Sequence, residues 1–131
     1  MCMQRAIDVI RYKIDERKSM SKIAFVRTLW DVKVPMRDGV KLSADIYLPS
    51  ENIKASYPTI LQRTPYDNTM KLWVDIAKFF ASNGYAFIGQ DVRGRCDSDG
   101  VWYPFFNEGP DGYDTIEWIA KQSWCNGKIG M

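Results

Sequence analysis

The amino-acid sequence predicts an α/β domain whose sheet is mainly parallel with an antiparallel edge. Three observations carry that expectation. Apolar residues alternate with polar ones from Leu29 onward, they recur at helical spacing from Lys71, and the run "YAFIGQDV" (85–92) is almost continuously apolar. Alternation marks half-buried strands, a period near 3.6 marks helices, and an unbroken apolar run marks a strand covered on both faces.

The elements follow in order. Residues 3–18 place Met3, Ile7, Ile10 and Ile14 on one helical stripe, a short amphipathic helix in a basic leader over 1–28. Trp30, Val32, Val34 and Met36 then alternate with polar partners. After the turn signal Asp38-Gly39, Val40, Leu42, Ala44, Ile46 and Leu48 do the same, so an antiparallel hairpin with one buried face is expected. "PTILQRT" (58–64) is a short strand opening at Pro58. Residues 71–83 present Leu72, Ile76, Phe79 and Phe80 on a helical face with Trp73, Ala77 and Ala81 beside it, and Gly84 ends that helix. The strand "YAFIGQDV" and the loop "RGRCDSDGVWYPFFNEG" come next. Pro110 opens a helix through about Gln122, Gly127 closes the turn after it, and a last strand begins near Ile129. The partial α/β domain is thus expected over residues 29–131.

Composition bounds the function. With 131 residues, 46% apolar and 26% charged, the chain has material for one core. The longest apolar runs, "IAFV" and "YAFI", are far short of a membrane span, and the N-terminus lacks the apolar core of a secretory signal, so a cytoplasmic location without membrane contact is expected. Net charge is only +2, and the first 27 residues hold seven Lys/Arg against three Asp/Glu, so the excess belongs to the leader and no nucleic-acid partner is expected. Cys2, Cys96 and Cys125 are odd in number and widely spaced, which reads as free thiols. The chain has no histidine, which removes a Ser-His-Asp triad and every His-based metal site from what it builds alone.

The element order matches the first half of an α/β-hydrolase fold, in which a G-x-S-x-G nucleophile turn follows the fifth strand and the triad runs Ser, Asp or Glu, then His. Here the fifth strand starts near Lys128, so the sequence reads as truncated before that turn. One catalytic element of the fold precedes it: the loop between the third strand and the first helix supplies an oxyanion donor. That loop is "RTPYDN" (63–68), and Tyr66 carries a phenolic O–H on it. On position alone, Tyr66 reads either as that donor or as the packed ring of a Pro-Tyr turn.

"VPMRDGVKLSADIYLP", "RTPY", "GQDVRGRCDSDG" and "DGYDTIEWIAKQSWCNGKIGM" together resemble the N-terminal part of the cocaine esterase and Xaa-Pro dipeptidyl-peptidase family of serine hydrolases. The resemblance covers residues 30–131. It implies an α/β-hydrolase with a helical cap and a C-terminal jelly roll, cleaving acyl esters or peptide amides through a Ser-Asp-His triad without a cofactor. It also implies that Tyr66 donates its hydroxyl to the oxyanion. The substrate partner is then a small ester or peptide of the complete enzyme. The alternative is a catalytically inactive truncated product, a folded module or partner-binding fragment with an exposed sheet edge that invites self-association.

Weaker constellations complete the inventory. "DVRGRCDSDG" has acidic residues at alternate positions, but Arg95 and Phe106 stand where a calcium loop needs acids, so a loop organised by Asp-Arg pairing and side-chain caps is expected and no metal site. Ser19-x-x-Lys22 matches S-x-x-K without its companion motifs. Trp102, Tyr103, Phe105 and Phe106 read equally as the wall of an acyl pocket or as the packed anchor of a long loop.

Overall fold

The computed structural model describes residues 26–49 and 55–131. The leader helix expected over 3–18 and the Ser19-x-x-Lys22 match lie outside the described residues. Five strands form one sheet: β1 (Val26–Pro35), β2 (Lys41–Pro49), β3 (Tyr57–Thr64), β4 (Ala86–Asp91) and β5 (Cys125–Gly130). Helix α1 (Lys71–Ser82) joins β3 to β4, and α2 (Glu108–Ala120) joins β4 to β5. Their spatial order is β1-β2-β4-β3-β5, antiparallel from β1 to β4 and parallel across β4, β3 and β5. Among the described residues no helix is long and apolar enough to cross a membrane.

Each face of the sheet has its own core. Val34, Met36, Leu42, Ala44, Ile46, Leu48, Leu61, Ala86 and Ile88 pack with Ile119 of α2 on one side. Tyr47 and Phe87 pack with Ala77 and Ala81 of α1 on the other. The expectation of a hairpin with one buried face is therefore corrected: Leu42 to Leu48 of β2 are all buried, because β2 pairs with β4 inside the sheet and helices cover both of its faces.

Three local departures have identifiable causes. Trp30 does not share the face of Val32, Val34 and Met36. The β1–β2 register shifts between Leu29 and Val32, where Asp31 has φ +50°, and this bulge sends Trp30 to the opposite face. There it lies edge-on to Tyr47 at 5.8 Å while Leu29 joins the α2-side core. Asp31 is held by its own chemistry: its N–H donates to Asp45 Oδ1 at 2.9 Å and its Oδ1 accepts from Ser43 Oγ at 2.7 Å.

In α1 the buried stripe is centred on Ala77 and Ala81, with Leu72 and Phe79 exposed. Small side chains let the helix approach the sheet closely, with Val74, Ile76 and Phe80 packed beside them and Leu72 and Phe79 turned outward. Finally, β5 begins at Cys125 rather than Ile129. Cys125 pairs with Tyr57 and Ile129 with Thr59, and Gly127 at φ +85° makes the register irregularity between them. A turn signal in the sequence is a bulge within the strand. β1 likewise begins at Val26, three residues ahead of the expected boundary. α2 begins at Glu108, two residues before Pro110, which sits in the first turn where its missing N–H is tolerated.

Candidate active site at the strand ends

Parallel β3 and β4 finish together, with Thr64 opposite Asp91, and their following loops meet beyond the carboxyl ends of the strands. Val92 N–H continues the ladder to Thr64 O at 3.0 Å. Sites in open α/β sheets form at such strand ends.

Tyr66 stands in the first of these loops, 71% exposed. Its ring is not buried, so the packed-ring alternative does not describe it. The backbone beneath it is held by side chains at several points. Tyr66 N–H donates to Thr64 Oγ1 at 3.0 Å, and Pro65 O accepts from Arg95 Nε at 2.9 Å. Asp67 has φ +78°, and its Oδ1 accepts from both the N–H and the hydroxyl of Thr69 at 2.8 and 2.6 Å. Those two bonds hold the Asp67 carboxyl below the usual range. Buried Asn68 donates its N–H to Asp91 Oδ1 and its amide Nδ2 to Gly89 O, both at 2.9 Å. An exposed hydroxyl thus rises from a loop whose main chain is anchored to β4.

The second loop is held by side-chain caps and Asp-Arg pairing as expected, but the aspartates that pair lie outside it. Its own aspartates do not pair with its arginines. Arg93 reaches instead to Asp111 in α2, with Nε and Nη2 contacts of 2.9 and 2.7 Å, and to Asp38 in the β1–β2 turn at 2.7 Å. The two carboxylates push the guanidinium's pKa up, Asp111 most strongly. Within the loop, Ser98 Oγ donates to Asp91 O at 2.7 Å and accepts from Ser43 N–H at 2.8 Å. Lys33 Nζ donates to Asp97 O at 2.8 Å. Gly94, at φ +68°, lies so close to the returning chain that a Cβ there would stand 2.3 Å from Trp102 N.

Trp102 offers its ring to Arg95, whose guanidinium carbon lies 4.8 Å from the ring centroid. Tyr103, Phe105 and Phe106 are 66%, 92% and 80% exposed, so they do not form a packed anchor among the described residues.

Asp67, Asp91 and Cys96 bring one ligand atom each within 4.8 Å of the others, the one grouping of metal-binding type among the described residues. Burial pushes the Asp91 carboxyl up, and the Asp67 and Asp97 charges add to it. Desolvation, then the Asp91 and Asp67 charges, push the Cys96 thiol up as well. Both therefore hold their protons more tightly than usual, and Asp67 already spends an oxygen on Thr69, a donor set poorly suited to a cation. Cys96 and Cys125 are free thiols.

Sequence reasoning singled out Tyr66 as a candidate and did not identify the side chains that hold its backbone. Arg95 is 30 positions from Pro65 and Arg93 is 18 from Asp111, so no local spacing announces either contact.

The fold and these blocks have counterparts in known proteins. The family described as X-Pro dipeptidyl-peptidase (S15 family) matches residues 38–131. Cocaine esterase from Rhodococcus sp. (strain MB1 Bresler) is 38% identical over 109 residues, covering 77% of this chain and 18% of the esterase. Among solved structures, a CocE/NonD family hydrolase from Staphylococcus aureus superposes with a TM-score of 0.71 at 30% identity, over 80% of this chain and 22% of that one. An α-amino acid ester hydrolase gives 0.68 at 35% identity, over 81% and 20%. The chain therefore spans about a fifth of the length of these relatives and corresponds to an N-terminal half of the α/β-hydrolase fold. With the family match covering most of its length, the chain belongs to the X-Pro dipeptidyl-peptidase (S15) family of hydrolases.

Proposed function

We propose that this segment is the oxyanion-binding front of a serine hydrolase that cleaves acyl esters or peptide amides. The observation that carries the reading is the placement of Tyr66: an exposed phenol on a clamped backbone at the carboxyl ends of the parallel strands. A tetrahedral intermediate gathers negative charge on the former carbonyl oxygen, and a donor fixed in advance stabilises that charge without reorganising. The Tyr66 hydroxyl is such a donor. The nucleophile's backbone N–H would be the second.

The chain holds no histidine and no G-x-S-x-G. In this reading the triad belongs to other parts of a longer protein, in keeping with relatives of which the chain spans 18–22%. The serine attacks the carbonyl, the histidine takes its proton and returns it to the leaving group, and Tyr66 holds the oxyanion meanwhile.

Tyr66→Phe in the complete hydrolase tests the assignment. Loss of one oxyanion donor lowers kcat by about 100- to 1,000-fold. Because the side chain is 71% exposed, stability should change by no more than about 0.5 kcal/mol. Turnover within threefold of the parent protein would remove Tyr66 from the mechanism.

A further inference from the structure

Pro65 O and Tyr66 N–H are the two polar ends of a single peptide unit, and both are engaged by side chains. Thr64 Oγ1 takes the N–H at 3.0 Å, and Arg95 Nε holds the carbonyl at 2.9 Å. A peptide plane fixed at both ends sets the direction in which the next Cα–Cβ bond leaves, here that of Tyr66. Proline contributes by locking φ on the preceding residue. On the far side, the Tyr66–Asp67 step leads into Asp67 at φ +78°, held by Thr69, so rotation is opposed there too.

Arg95 is itself constrained. Its N–H donates to Val92 O at 3.1 Å, a turn of the chain leaving β4. Its guanidinium lies over the Trp102 ring at 4.8 Å, and Trp102 is fixed against Gly94 by the close backbone approach described above. A flat guanidinium can stack on an aromatic ring through its face while donating through its edge. The same head therefore leans on the 101–106 loop and carries the Tyr66 peptide.

The geometry points to Arg95 as the positioning residue for Tyr66, with the Trp102 ring as its platform. The inference rests on the reading of Tyr66 as the oxyanion donor. Arg95 does not touch the reacting atoms. It acts by keeping the phenol where the developing charge will be, and a displacement of about 1 Å at such a group is worth on the order of a hundredfold in rate.

Two measurements test it separately from that reading. The first is ¹⁵N relaxation of the 131-residue chain with and without Arg95→Ala. The Tyr66 and Asp67 amide order parameters should fall from about 0.85 toward 0.6 or below, while those of Leu61 in β3 stay unchanged. Trp102→Leu, which keeps the arginine and removes its platform, should lower the same amides by a smaller amount. Unchanged order at Tyr66 in Arg95→Ala would overturn the inference whatever Tyr66 does in catalysis.

The second is a double-mutant cycle in the complete hydrolase. Arg95→Ala should lower kcat by about 10- to 100-fold with KM within threefold, and by less than threefold when Tyr66 is already Phe, since the effect passes through the hydroxyl. Equal losses in both backgrounds would also overturn the inference. A cycle in which Tyr66→Phe is itself silent would instead strike the oxyanion reading and leave the relaxation result standing.

Discussion

Arg93 and Arg95 stand two positions apart on one loop, yet their heads serve different regions of the molecule. Arg93 turns back into the scaffold, where its side chain is 11% exposed and meets Asp111, 2% exposed, in helix α2. Arg95 turns outward to a backbone carbonyl of the Tyr66 loop and the exposed ring of Trp102. The first contact joins a helix to the sheet, and the second orients a group at the surface. One loop can therefore separate the task of holding the fold from the task of aiming a side chain, because Gly94 between them reverses the chain at φ +68°.

The largest stability effect should come from breaking the scaffold side. Arg93→Ala leaves the Asp111 carboxylate buried without its partner, a change worth about 3–5 kcal/mol for a buried pair. Arg95→Ala removes a contact with a neutral carbonyl and should leave the unfolding midpoint close to that of the parent chain. Urea unfolding of the two variants decides the contrast. Similar losses in both would show that the loop is one structural unit without the division drawn here.

Asp91 sits between the two tasks, fully buried at the end of β4 with its Oδ1 on the Asn68 N–H. Its carboxyl is raised by burial, so the folded state keeps its proton when the unfolded chain, near pH 4, has lost it. The stability this confers is complete below the unfolded value and is lost as pH rises through the folded one. Asp91→Asn cannot ionise. Its melting temperature relative to the parent chain should therefore climb as pH is raised from about 4 toward neutrality. A difference that is flat, or that falls with pH, would mean that hydrogen bonds to the charged form outweigh desolvation at this site.

The sequence carried most of the architecture and pointed to one candidate residue, Tyr66, for reasons particular residues make plain. Alternation in β2, the unbroken apolar run in β4 and the helical spacing between the strands are local signals, and together they carry the element order through the fifth strand. The faces were less legible. Trp30 fits the alternation of β1, but the bulge at Asp31 depends on Asp45 and Ser43 in the neighbouring strand. In α1, large residues at 72, 76, 79 and 80 outweigh Ala77 and Ala81 in any periodicity, yet closeness of approach favours the small ones. Asn126-Gly127 has turn chemistry whether it ends a strand or bulges within it. Tyr66 could be singled out because a Pro-Tyr pair directly after a strand is a local feature. Its supports were not, since Arg95 reaches it across the whole of α1 and β4.

Outside the site, a third arginine carries the contrast between buried and exposed pairs further. Arg37 makes a forked contact with Asp114 of α2, as Arg93 does with Asp111 one helical turn away, and it also lies 5.7 Å over the Tyr113 ring. The two pairs have similar geometry and differ in surroundings, for the Arg37 side chain is 60% exposed. Solvent and salt screen such a pair, whereas they reach a buried one poorly. Arg37→Ala should lower the unfolding midpoint slightly in dilute buffer and by a vanishing amount in about 1 M salt, where the screening length falls to about 3 Å. The loss in Arg93→Ala should persist through the same titration. Were both losses to fade together, Arg93 would be acting as a surface charge, and the contrast between a scaffold-facing and a site-facing arginine would rest on Arg95 alone.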